Sequence, residues 1–124
     1  MTSAILVEKL DNKTLENSSF SESKIYFGTS SIKLGKSANK LILKLKGLLD
    51  EYPDVNIIVQ GHASDDGSEA FNMKISQKRA DTVAAALIAA GIDASRVSTE
   101  AYGESKPMSD RKSSRRVEFD RGME

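Results

Sequence analysis

At 124 residues the chain is long enough for one hydrophobic core and too short for two. Its 39% apolar and 29% charged residues are spread along the whole length, which excludes a disordered chain, and a formal net charge of zero removes any overall pull toward nucleic acid or an anionic membrane. With no cysteine and one histidine, His62, the sequence excludes disulfides, thiol nucleophiles, a lipid-anchoring cysteine and a histidine-built zinc site, so no cofactor and no metal are expected.

Residues 1–23 are mostly polar around one apolar patch, Ala4 to Val7, and read as an arm or linker with a short strand near Ile5 to Leu10. The first residues lack the basic region and the apolar length of a signal peptide. No apolar run approaches the roughly 18 residues that cross a bilayer. Lys24 to Phe27 reads as a strand, and Gly28 to Lys36 as a loop. Ser37 is a candidate N-cap for an amphipathic helix with Ala38, Leu41, Ile42, Leu45, Leu48, Leu49 and Tyr52 on one stripe, stopped by Pro53. The β-branched run Val55 to Gln60 predicts a central strand buried on both faces.

Gly61 to Gly67 is a loop of small and acidic residues. Helical spacing follows in two pieces, a first turn from Ser68 to Asn72 and a main part from Ser76 to Ala90, with a break near Ile75. Ala80, Val83, Ala84, Leu87 and Ile88 point inward, and Gly91 stands where a left-handed C′ residue is wanted. Val97 to Tyr102 is a third strand. Residues 103–114 read as a loop without a helix, and Arg116 to Asp120 as a last strand that pairs antiparallel. The expected fold class is α/β (α+β), in the order β-α-β-α-β-β, with a mixed sheet and two main helices on one face. The expected division is the arm at 1–23, one domain at 24–121 and a tail at 122–124.

Several segments carry a family resemblance. Gly61-His62-Ala63-Ser64-Asp65-Asp66-Gly67-Ser68 is followed by Phe71-Asn72, Ile75-Ser76, Arg79-Ala80 and Val83. Tyr26 to Leu34, Tyr102-Gly103-Glu104-Ser105-Lys106-Pro107 and Ser114-Arg115-Arg116-Val117-Glu118 lie in compatible order around it. Together, over roughly residues 24 to 120, these resemble the OmpA-like peptidoglycan-associated domains.

The resemblance implies a non-catalytic module that holds the stem peptide of peptidoglycan by its diaminopimelate residue and anchors an envelope protein on the periplasmic side. That side chain ends in an ammonium and a carboxylate, so its site needs one anion and one cation. The family cation matches Arg79, whose guanidinium grips a carboxylate bidentately. The family anion matches Ser64, a neutral hydroxyl; Asp65 and Asp66 follow it directly. Losing one partner of a desolvated charge pair costs about 2–5 kcal/mol, and about 1.4 kcal/mol is a factor of ten. The implied ligand set is Arg79, Ser64, Asp65, Asn72 and Arg115, with Phe27, Phe71 and Ile75 as its apolar wall. The partners implied are the stem peptide and other envelope proteins.

Each residue also has a plainer reading. Arg79 suits the edge of a buried helix face, and Asp65 and Asp66 suit a turn. His62 suits a partly buried imidazole whose ring hydrogen-bonds the next loop. Asn72 suits a brace for the helix break. The basic run Arg111, Lys112, Arg115, Arg116 and Arg121 suits a solvated strand edge, and with no aromatic residues interleaved it predicts no nucleic-acid contact. The alternative function is therefore a structural or protein-interaction domain that has lost the wall. An enzyme is not expected, because no Ser/His/Asp, zinc or spaced-carboxylate constellation can be assembled.

Overall fold

The computed structural model describes Phe20 and residues 22–122. The strand expected near Ile5 to Leu10 lies outside the described residues. Strand β1 spans Lys24–Tyr26, helix α1 Lys36–Glu51, β2 Ile57–Gly61, α2 Glu69–Ala89, β3 Val97–Ala101, the one-turn helix α3 Arg111–Ser114 and β4 Arg116–Arg121; a single 3-10 turn, Ala94–Arg96, precedes β3. The sheet order is β1-β4-β2-β3. The last strand is inserted between the first two, antiparallel to both, and β2 and β3 are parallel. It follows that β1, β2 and β3 all run the same way and that the loops at their C-terminal ends gather at one edge.

The alternation of apolar residues selects the covered face. Ile57, Val59 and Gly61 of β2 are buried, whereas Ile58 and Gln60 are half-buried, so the strand is central in the sheet but covered on one face, not two. Ile25, Val117 and Phe119 join that face, and Ile42, Leu45 and Leu49 of α1 with Ala80, Val83 and Leu87 of α2 close over it. Fully burying a Leu or Ile side chain contributes about 1.5–3 kcal/mol, so this continuous layer is the main source of stability. Phe20 is completely buried in the same cluster, which extends the packing unit back into the segment assigned to the arm.

Several local expectations are corrected. Helix α1 starts two residues early because Gly35, not Ser37, is its N-cap: the Gly35 carbonyl accepts the first helical bond, from Asn39 N–H at 3.0 Å. Helix α2 runs through Ile75 without a break. The Ser76 hydroxyl bonds back to the Met73 carbonyl at 2.8 Å and accepts from Gly103 N–H at 2.9 Å, tying the helix to the loop after β3. The 103–114 segment contains α3, capped by Asp110, whose carboxylate accepts from Ser113 N–H. Gly61 is obligatory where β2 crosses α2, since a Cβ there would stand 1.8 Å from the Ser76 carbonyl oxygen. Gly91, with φ +119°, ends the turn after α2 as expected.

Candidate functional site

The C-terminal edge of the sheet is organised by Arg79. Its place in α2 points it into the junction of three loops, and it is only 1% exposed. Nε donates to the Ser31 carbonyl at 2.9 Å, Nη1 to the His62 carbonyl at 3.1 Å and Nη2 to the Gly28 carbonyl at 3.1 Å, while the guanidinium lies 5.3 Å from the centroid of the buried Phe27 ring. The side chain is thus a central clamp and not an edge residue. Burial, and then the neighbouring Arg115, lower its pKa to about 10, against the opposing effect of Asp66, so it keeps its charge at neutral pH. A guanidinium has five N–H groups; three are engaged here. The clamp holds a strained loop: Ser30, between two of the accepting carbonyls, has φ 55°.

Beside Arg79 lies a dimple of about 10 Å³, roughly the space of one water, lined by Ser64, Asp66, Phe71, Asn72, Ile75 and Arg115 among others. Arg115 is built in: Nε donates to the Phe27 carbonyl at 3.0 Å, and Nη1 stands 3.7 Å from the Asp66 carboxylate. The buried Ser64 hydroxyl donates to the same carboxylate. Asn72 is 2% exposed and donates through Nδ2 to the Gly67 carbonyl at 3.1 Å and to Glu104 at 2.7 Å. It braces the loop after β2 against the loop after β3, not a helix break.

Of the eight residues singled out from sequence, six line this dimple: Arg79, Ser64, Asn72, Phe71, Ile75 and Arg115. Phe27 lies beneath the guanidinium. Asp65 faces away, into a neighbouring cleft of about 360 Å³ between the 64–65 turn and residues 104–114, where Arg111 Nε donates to it at 2.9 Å. Asp66, left out of that set, is the carboxylate that reaches the dimple. The sequence carried no signal for it, since residues 65 and 66 form a turn, where side chains do not alternate as they do along a strand. Glu104 was legible only as part of a Tyr-Gly-Glu motif.

On the sheet face opposite the helices, His62 is 1% exposed and stacks on Tyr102 with ring centroids 5.2 Å apart. Neither ring nitrogen has a hydrogen-bond partner among the described residues, contrary to the expectation that the ring bonds the next loop; only the backbone N–H is engaged, donating to the Arg116 carbonyl of β4 at 2.8 Å. Burial, then the charge of Arg116, push the His62 pKa down to about 4, so the ring is neutral at pH 7. Arg116 itself is 3% exposed in an internal strand and donates to the Ser114 and Lys106 carbonyls, which replaces the expected solvated strand edge. Among the described residues no group of three or more His, Cys, Asp or Glu side chains has the geometry of a metal site, and no helix is long and apolar enough to cross a membrane.

Comparisons with known proteins agree with this architecture. The chain is 37% identical over 84 residues to the probable lipoprotein YiaD of Escherichia coli K12, which covers 68% of this chain and 38% of that protein. It is 32% identical over 85 residues to the peptidoglycan-associated lipoprotein of Agrobacterium fabrum, covering 68% and 48%. The chain thus spans less than half the length of either relative. The crystal structure of the peptidoglycan-associated lipoprotein from Burkholderia pseudomallei superposes with a TM-score of 0.79 at 24% identity, covering 90% of this chain and 100% of that one, which speaks for the fold. The sequence profile of the OmpA family matches residues 26–121. Strands β2 to β4, the two helices on one face and the loops gathered around Arg79 fall inside that match, and the chain belongs to the OmpA family.

Proposed function

We propose that this domain is a non-catalytic peptidoglycan-binding module which holds the diaminopimelate end of a stem peptide and anchors a larger envelope protein to the wall from the periplasmic side. The observation that carries the reading is the meeting of a buried guanidinium and a carboxylate at one small polar opening, Arg79 and Asp66. Arg79 retains two N–H groups beyond those engaged by carbonyls, and Arg115 adds a second cation for a ligand carboxylate. Asp66, oriented by the Ser64 hydroxyl, supplies the anion that position 64 lacks. In this reading Ser64 is an aiming residue, Asn72 fixes the distance between the two rims, and Phe71 with Ile75 flank the aliphatic part of the ligand. The similarity to peptidoglycan-associated lipoproteins favours the same assignment.

A second reading, a fold-keeping interaction domain that no longer binds the wall, draws on the small size of the dimple and on the three carbonyls that already occupy Arg79. Co-sedimentation with purified diaminopimelate-type peptidoglycan separates the two. The first predicts that the parent domain sediments with the wall and that Asp66→Asn, a change at a partly exposed side chain, weakens the association by about tenfold. A parent domain that stays in the supernatant at high wall concentration leaves the second reading standing.

A further inference from the structure

The rim of the dimple is already neutralised. Asp66 lies 3.3 Å from Arg111 Nε and 3.7 Å from Arg115 Nη1, and Asp65 accepts from Arg111 at 2.9 Å. Glu104 is engaged by Asn72, and Asp110 by the first turn of α3. Each described carboxylate around the opening therefore has a partner before any ligand arrives, while three guanidinium groups surround two of them. The three arginines are not equivalent. Arg79 and Arg115 are locked by backbone carbonyls at 1% and 14% exposure. Arg111 is 65% exposed, sits on a four-residue helix, and among the described residues its guanidinium pairs with Asp65 and Asp66 only.

We infer that Arg111 is a specificity-determining residue of this opening: it occupies the carboxylates that a ligand ammonium requires, so a zwitterionic head group enters only by displacing it. The inference rests on the wall-binding reading above. The free site, with Arg111 on Asp65 and Asp66, leaves Arg79 and Arg115 to accept a ligand carboxylate unaided. The ammonium must compete with a tethered cation for Asp66. Displacement is physically accessible because an exposed ion pair contributes little, about 0.2–1 kcal/mol, and the released guanidinium regains water. Moving Arg111 away also frees the mouth of the 360 Å³ cleft that adjoins the dimple, which gives the rest of the peptide a place to lie.

The test is calorimetric titration of the folded domain with two tripeptides, one ending in meso-diaminopimelate and one in 2-aminopimelate, which keeps the side-chain carboxylate and lacks the ammonium. Arg111→Ala is expected to bind the first about two- to fivefold more tightly and to leave the second unchanged or weaker. Lys112→Ala removes the same charge from the same helix without touching Asp65 or Asp66, and is expected to change neither. Equal or weaker diaminopimelate binding by Arg111→Ala, or an equal gain in Lys112→Ala, overturns the assignment of Arg111 while leaving wall binding intact. No binding of either peptide by the parent and both variants overturns the wall-binding reading, and this inference with it.

Discussion

Two buried basic side chains flank the end of β2, and they are treated in opposite ways. Arg79 and His62 are each 1% exposed and are linked by one hydrogen bond, from the Arg79 guanidinium to the His62 carbonyl at 3.1 Å. On the helix side, three carbonyls meet the donors of Arg79, and its charge survives burial with a pKa of about 10. On the other side no described residue accepts from or donates to the His62 ring, a Glu118 oxygen standing 4.0 Å from Nε2, and burial holds the imidazole as a flat, neutral body against Tyr102. The contrast shows that burial does not by itself decide ionisation. The intrinsic value does: burial lowers both, Arg79 to about 10 and His62 to about 4, and a guanidinium with a high intrinsic pKa stays charged where an imidazole near neutrality does not.

The comparison is most severely tested at Arg79. Arg79→Met leaves the Ser31, His62 and Gly28 carbonyls without their donor and releases the strained loop at Ser30; unfolding in urea is expected to show a loss of about 3–5 kcal/mol. Arg79→Lys, a point charge without the fork, should recover only part of it. For this reason Asp66, not Arg79, is the position at which to test ligand binding.

The second test is pH. Above pH 6.5 His62 is neutral in the folded and unfolded chain alike. Between pH 6.5 and about 4 the unfolded chain takes up a proton that the folded one refuses, so stability falls as pH falls, by about 3 kcal/mol in all, and below that the contribution is level. The groups facing the ring are Arg116, Lys106, Tyr102 and Glu118, of which the two cations oppose protonation and Glu118 favours it. Burial pushes the Glu118 pKa up, but the hydrogen bond and charge of Arg116, with His62 and Lys24, bring it below the usual carboxylate value. His62→Phe keeps the stacked ring and loses no hydrogen bond. It should stay within about 1.5 kcal/mol of the parent at pH 7 and lack the acid slope, as read from unfolding midpoints across pH. A parent stability that is flat from pH 7 to 4 would remove the contrast. The smallest effect is at Lys106, whose ammonium lies 3.8 Å from the Tyr102 ring centroid. Lys106→Met should cost about 0.5–1 kcal/mol and raise the His62 pKa slightly, as followed by NMR titration of the ring.

The strands, both main helices and the region of the site were legible in the sequence, because each rests on a local pattern. The stripe Ile42, Leu45 and Leu49 has helical spacing, the β-branched run of β2 has strand chemistry, and Gly91 marks a helix end. The continuity of α2 through Ile75 was less visible, since the helical spacing fell into two pieces with a break there; the polar groups of Asn72 and Ser76 are satisfied across the chain by Glu104 and Gly103. Five of the six expected site residues that share the dimple do so for the same reason that the motif is recognisable, since they flank the turn from β2 to α2; Arg115 reaches it from just ahead of β4.

What the sequence by itself determined was which segments are helix or strand and which faces are apolar, since periodicity and turn chemistry act over a few residues. Tertiary structure alone decided the rest. It set β4 between β1 and β2, which turned an apparent surface run of arginines into a buried Arg116 and a clamped Arg115. It chose Asp66 over Asp65 for the dimple and gave Asp65 to Arg111. Hydrogen-bond partners for a charged group come from residues distant in sequence, such as Gly28 and Ser31 for Arg79, and their positions exist only once the core has brought the loops to one edge.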